Sequence, residues 1–199
     1  KKKKKGTGKT ILLVHGWESH SHRWKEMIIR LQQENYNIIA FDAPAHGYSS
    51  GKYFYVPLYH QALNKILETY QPDYLVGHSV GGMTVLYNQS QKESFRTKKL
   101  VILGAPDTLE SILSDYQKIL GLSNRALAAL DRYFQDTFNF KTVEFSSSAF
   151  ARKIKVPTLI IHDKEDTITP FSGSQAIHEA LEESEFVENQ GLNPPFFFF

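Results

Sequence analysis

The sequence predicts a doubly wound α/β fold built on a mostly parallel sheet, and three observations carry that expectation. Five strand-length runs, "TILLV" (10–14), "NIIAF" (37–41), "DYLVG" (73–77), "LVILG" (100–104) and "TLIIH" (158–162), are apolar without alternation. Runs of that kind are buried on both faces, as in a parallel sheet covered by helices. Segments with apolar residues at helical spacing lie between them, and strand alternating with helix is the pattern of a doubly wound sheet.

Each element follows in chain order. After the first run, Trp24, Met27, Ile28 and Leu31 fall on one helical face. After the second, Leu58, Ala62, Leu63, Ile66, Leu67 and Tyr70 do the same. The third run leads into a helix expected near 81–90, and a last, weaker strand, "EFVEN" (185–189), follows a helix around 174–181. The interval between Ala105 and Val156 breaks the rhythm, with two helical stretches and no strand. The first is expected to open on Asp107 and Glu110 as a capping-box-like pair. It carries Leu109, Ile112, Leu113, Tyr116 and Leu120 on one side, and the second carries Ala126, Leu127, Leu130, Phe134 and Phe138. An insertion after the C-terminal end of a strand overlies the place where open α/β sheets bind ligands, so residues 107–150 read as a small helical cap or as plain packing helices.

Length and composition bound the class. A chain of 199 residues that is 41% hydrophobic and 22% charged reads as one ordinary globular domain. No run is long enough to span a membrane, and the apolar stretch after the basic start is too short for a signal-peptide core, so the expected location is cytoplasmic. The net charge of +2 rests on the five lysines at positions 1–5, and no basic, aromatic-interleaved surface follows, so nucleic acid is not an expected partner. The absence of cysteine excludes thiol catalysis, disulfides and Cys-ligated zinc. Both ends, residues 1–9 and 193–199, are set aside from the fold reading because of their lysine and phenylalanine runs.

"GTGKT" (6–10) resembles the end of a phosphate-binding loop, but it precedes its strand and has Lys3 where that motif needs glycine. His20 and His22 have no acidic pattern beside them and suggest no metal site. The informative stretch is "YLVGHSVGG" (74–82). In G-x-S-x-G between strand and helix, the serine occupies a sharp, strained turn that the flanking small residues allow to close. Ser79 would project above the sheet at a helix N-terminus, whose partial positive charge favours an oxyanion nearby. The first strand ends in "LLVHGWES", a tight turn whose Trp17 N–H, with that of Val80, would form a two-donor oxyanion hole worth roughly 3 kcal/mol per donor. His15, Asp42, Pro44, His46 and Gly47 read as turn builders, with His46 a weaker candidate base.

"VHGWES", "FDAPAHGYSSG", "GHSVGG" and "IIHDKEDTITP" together resemble, in order and spacing, the motifs of the α/β-hydrolase superfamily, over about residues 10–192. The closest resemblance is to uncharacterised bacterial serine-hydrolase-like members with a small helical cap. It implies an acid after the penultimate strand, which falls on Asp166, with Asp163 and Asp107 weaker candidates. It also implies a histidine after the last strand, and Pro194 stands in that place. None of the eight histidines follows residue 178. Two readings stay open. One is a serine hydrolase of a carboxylic ester or thioester, with a small-molecule acyl substrate and no metal or organic cofactor, whose base is missing from this sequence. The other is a non-catalytic binding protein on the same fold.

Overall fold

A computed structural model describes residues 8–91 and 96–191. The lysine run, the phenylalanine run and the Asn193-Pro194 step lie outside the described residues. One sheet holds six strands: β1 (Thr10–Val14), β2 (Asn37–Ala40), β3 (Tyr74–His78), β4 (Lys99–Leu103), β5 (Thr158–Asp163) and β6 (Ser184–Asn189). Their order is β2-β1-β3-β4-β5-β6, and every pairing is parallel. Seven α-helices are described: α1 (Lys25–Gln33), α2 (Val56–Tyr70), α3 (Val80–Gln91), α4 (Leu109–Leu120), α5 (Asn124–Phe138), α6 (Ser147–Ala151) and α7 (Phe171–Ala180).

The unbroken apolar runs are explained by burial on both sheet faces. Leu12, Val14, Leu75, Leu100, Ile102 and Ile160 turn to one side and join Leu63 and Leu67 of α2, Met83 and Leu86 of α3 and Ile177 of α7. Ile11, Leu13, Ile38, Val76 and Leu103 turn to the other, where Trp24 and the inner face of α1 cover them. Each such side chain contributes about 1.5–3 kcal/mol by leaving water. A strand exposed on either face could not keep both sets of residues, which is why no alternation survives in the sequence.

The interval before β5 differs from the sequence expectation at its start and at its end. Thr108, not Asp107, caps α4: its hydroxyl accepts the N–H of Ser111 at 3.0 Å. Asp107 instead accepts from Ser146 Oγ (3.0 Å) and from the N–H of Ser148 (2.9 Å), clasping the two ends of the interval beside an isolated Thr108–Ser146 bridge. A carboxylate that closes a loop this way satisfies donors 39 and 41 residues distant, which no local capping rule anticipates. A third short helix, α6, packs on α3 and α7.

Sheet order positions the site. The chain runs outward to β2 and then returns to place β3 on the other side of β1, so β1 and β3 are neighbours, with Val14 opposite Gly77. The loops leaving β1 and β3 therefore emerge side by side, at the kind of switch point where open α/β sheets bind ligands. Among the described residues no helix is long and apolar enough to cross a membrane.

Candidate active site

The turn after β3 is built by glycine on both sides. Ser79 has φ +53°, a left-handed conformation in a residue with a side chain. A Cβ on Gly81 would run into the carbonyl oxygens of Val14 and His15, and one on Gly77 would stand 2.7 Å from the Cα of Gly82. Two glycines two residues to either side are thus what lets the turn close against β1. The Ser79 N–H donates to Leu103 O on β4 (2.9 Å), and its carbonyl accepts from Gly82 and Met83 (2.8 and 3.2 Å), which opens α3. Val80 is the first residue of that helix, where backbone N–H groups have no intrahelical acceptor.

The loop after β1 is pressed against this turn: a Cβ on Gly16 would lie 3.0 Å from Ser79 Cβ. Trp17 is the next residue of that loop and Val80 the next residue after Ser79, so these two sequence-predicted residues lie on neighbouring turns, after β1 and β3. Buried His15 fixes the loop. Its Nε2 accepts the Ala43 N–H (2.9 Å), so its Nδ1–H donates to Gly16 O (2.6 Å), and the hydroxyl of Tyr59 donates to His15 O (3.0 Å). Burial pushes the pKa of His15 down to about 4, keeping the ring neutral. His46 is occupied in the same way, its Nε2 accepting from the Glu18 N–H (3.2 Å) and its Nδ1 beside Pro44 O (3.0 Å). Asp42 accepts from the N–H groups of Ser21 (2.7 Å) and Tyr48 (3.0 Å). These residues build turns, and His46 has no free ring nitrogen with which to serve as base.

Asp166 sits past β5 with its carboxylate largely buried, 5% exposed. Oδ1 accepts from the N–H groups of Ile168 and Thr169 (2.8 and 2.9 Å), and Oδ2 lies 3.3 Å from His162 Nε2. Burial raises its pKa, but the His162 contact and the two backbone donors outweigh that and hold it below the ordinary aspartate value. A Cβ on Gly104, at the end of β4, would be 3.6 Å from Asp166 Oδ2. Ser79 and Asp166 therefore rise from the ends of strands that flank β4 on either side. A water-sized space of about 20 Å³ lies beside Asp166, walled by His78, Gly104, His162 and Asp163.

Two histidines, His162 and His78, wall this space. His162 is buried; its Nδ1 meets Ser174 Oγ (2.7 Å) and its Nε2 meets Thr169 O (3.1 Å) as well as Asp166. Since Thr169 O and the carboxylate both accept, Nε2 carries the proton and Nδ1 accepts from Ser174. His78, which also walls the space beside Asp166, has Nε2 facing Arg23 Nη2 (3.4 Å) and its ring edge-on to Trp24. Burial, aided by the Arg23 charge, lowers its pKa to about 3. His178 bonds to Ser184 Oγ (2.7 Å), away from the turn.

Sequence reasoning did not anticipate the part played by Asp163. Its Oδ1 accepts from the N–H groups of Glu165 (2.8 Å) and Gly191 (3.3 Å), tying the loop of Asp166 to the chain leaving β6. Its Oδ2 is buried without a hydrogen-bond partner. The tie spans 28 residues and has no local signal. Also unanticipated was a groove of about 810 Å³ that starts at Trp17, passes Tyr53, Phe54 and Tyr55, and reaches Tyr133 on α5. Its composition was visible only as scattered aromatics. Among the described residues no group of three histidine, aspartate or glutamate side chains is placed to hold a metal ion.

Comparison with known proteins agrees with this geometry. Residues 9–142 match the family model described as alpha/beta hydrolase fold. The chain is 24% identical over 208 residues to an uncharacterised abhydrolase domain-containing protein of Dictyostelium discoideum, covering 86% of this chain but 22% of that protein. It is 26% identical to a non-heme haloperoxidase of Rhodococcus erythropolis, covering 85% and 79%. A monoacylglycerol lipase of Paleococcus ferrophilus superposes with a TM-score of 0.70 at 26% identity, covering 93% of this chain and 88% of that one. Esterases, lipases and haloperoxidases recur among these relatives and structural neighbours. With its parallel six-stranded sheet, its serine turn after β3 and a model match over residues 9–142, the chain belongs to the α/β-hydrolase fold family.

Proposed function

We propose that the protein is a serine hydrolase of carboxylic esters or thioesters. The observation that carries this reading is Ser79 at φ +53° between β3 and the first turn of α3, an arrangement that holds a hydroxyl above the sheet at conformational expense. In the reaction Ser79 Oγ bonds to the carbonyl carbon and gives up its proton to a base. The Trp17 and Val80 N–H groups donate to the resulting oxyanion. Collapse breaks the bond to the alcohol or thiol, which leaves with the proton, and water then attacks the acyl-enzyme to release the acid. Asp166 orients the base, a histidine by analogy with serine triads. Helices α4 and α5 act as a cap, a role supported by Tyr133 of α5 sharing a groove with Trp17.

One observation favours a second reading, a binding protein that keeps the groove but does not turn over: Pro194 stands where the resemblance implies a histidine. One experiment separates the two. The 199-residue chain is assayed on p-nitrophenyl acetate and butyrate with imidazole in the buffer to stand in for the base, beside Ser79→Ala. Hydrolysis by the chain above that of Ser79→Ala, growing with imidazole, is the expected result. Equal rates for the two proteins at every imidazole concentration would leave the binding reading standing.

A further inference from the structure

We propose that the groove between the β1 loop and α5 binds the aromatic ring of a neutral ester, which narrows the hydrolase reading above, on which it rests, to arylalkyl substrates. Its walls are Trp17, His46, Tyr53, Phe54, Tyr55 and Tyr133, and Ala45 is the one aliphatic side chain among them. A fatty chain is matched by aliphatic walls that it can follow; a wall of rings favours a ring, through stacked and edge-to-face contacts beyond the area buried. Exposure points the same way. Trp17, Tyr53 and Tyr133 are 38%, 72% and 50% exposed, and of the four large aromatics left open to solvent among the described residues, these three line the groove. Exposed apolar surface gathered in one place, rather than scattered, marks a binding site.

Charge sets the second property of the ligand. Glu18 and Lys52 give this wall one charge of each sign, so it exerts no net pull on an acid or an amine. Position sets the third. Trp17 belongs both to the groove and to the loop packed on Ser79, so a ring held along the groove lies against the residue whose N–H is a proposed oxyanion donor. The volume of about 810 Å³ is within the range of small-molecule sites.

The test needs no turnover. Of the two tryptophans, Trp24 is fully buried and Trp17 lines the groove, so quenching of intrinsic fluorescence reports on this site. Titration uses 4-phenylbutan-2-one and decan-2-one, neutral ketones with equal carbon counts, of which the second is the more hydrophobic. The phenyl ketone is expected to bind about tenfold tighter, and Tyr133→Ala to weaken it about fivefold, in line with the worth of one aromatic pair, while leaving decan-2-one within about twofold. Tyr53→Ala is the second variant; both positions are solvent-exposed, so folding is not at stake. Decan-2-one binding as tightly as the phenyl ketone, or neither variant changing the phenyl ketone, overturns the proposal. Hydrolysis of methyl 3-phenylpropanoate against methyl nonanoate, in the imidazole-supplemented assay, separates the two layers. Ring-selective binding without Ser79-dependent hydrolysis sinks the hydrolase reading alone; Ser79-dependent hydrolysis indifferent to the ring sinks the ring site alone.

Discussion

Ser79 shows how far a single residue's conformation can be read from chemistry. Its φ of +53° is a region where a side chain is strained and glycine is not, so removing the hydroxyl and removing the Cβ have different effects. Ser79→Gly is expected to be more stable than Ser79→Ala by about 1 kcal/mol in urea denaturation, because both lose the hydroxyl but glycine alone relieves the turn. Equal stability, or a more stable alanine variant, would mean that the turn is not strained. The two neutral buried histidines make a separate prediction about acid. His15 and His78 titrate near 4 and 3 in the folded chain but near ~6.5 when unfolded. Below that value the unfolded state binds more protons, so stability falls as pH falls, by up to about 1.4 kcal/mol per pH unit for each group. Denaturation midpoints measured from pH 7 to pH 4.5 should drop steadily, and less steeply in His15→Gln. Ser79 was singled out in the sequence by its local G-x-S-x-G turn, and Asp166 by the resemblance of its loop to the α/β-hydrolase motif. The tie from Asp163 to Gly191 was not, since only the fold brings those residues together.

At the scale of elements, the strands were legible and the interval before β5 was only partly so. Apolar runs buried on both faces can scarcely be misread, and each of the five expected strands is present within a residue or two of its expected bounds. The late helices obey weaker constraints. On α3 nine residues are buried, whereas α5 buries Phe134 alone. A helix held by so little surface takes its position from a few contacts, such as Phe138 on Tyr55 at 5.1 Å, that no periodicity encodes. The same difference predicts their dynamics. Amide hydrogen exchange should be faster across α5 than across α3 by orders of magnitude, since opening α5 exposes few buried groups. Binding of 4-phenylbutan-2-one should slow exchange in α5 near Tyr133 and leave α3 unchanged. Equal protection of the two helices in the free protein would show that α5 is part of the cooperative core.

At the scale of the molecule, the sheet order explains why a site forms at all and why one part of it stands apart. The return of the chain from β2 to β3 sets the loop after β1 beside Ser79, and β4 and β5 carry Gly104 and Asp166 to the other flank. The residues proposed as nucleophile, oxyanion donors and acid thus rest on three strands of the sheet, β1, β3 and β5, while in serine triads a separate residue, the histidine, must be brought between them. All eight histidines of the sequence lie among the described residues, and His162, the one hydrogen-bonded to Asp166, spends its second nitrogen on Ser174. A free imidazole supplied from solution then has a defined task. The Ser79-dependent rate of the 199-residue chain should rise with pH as imidazole loses its proton, with a midpoint near ~6.5 to 7, because the neutral ring is the form that accepts from serine. Asp166→Asn should lower that rate at every pH, since the acid favours and orients the imidazolium that forms, while stability in urea should fall less in acid than at pH 7. That second change follows from the sign of the shift: a carboxylate held below its ordinary pKa stabilises the fold above about pH 4 and loses this contribution as pH falls through its folded value. A Ser79-dependent rate that ignores imidazole and already runs fast without it would place the base within the chain, and the hydrogen bonding of His162 would then have to differ during turnover from the arrangement described above.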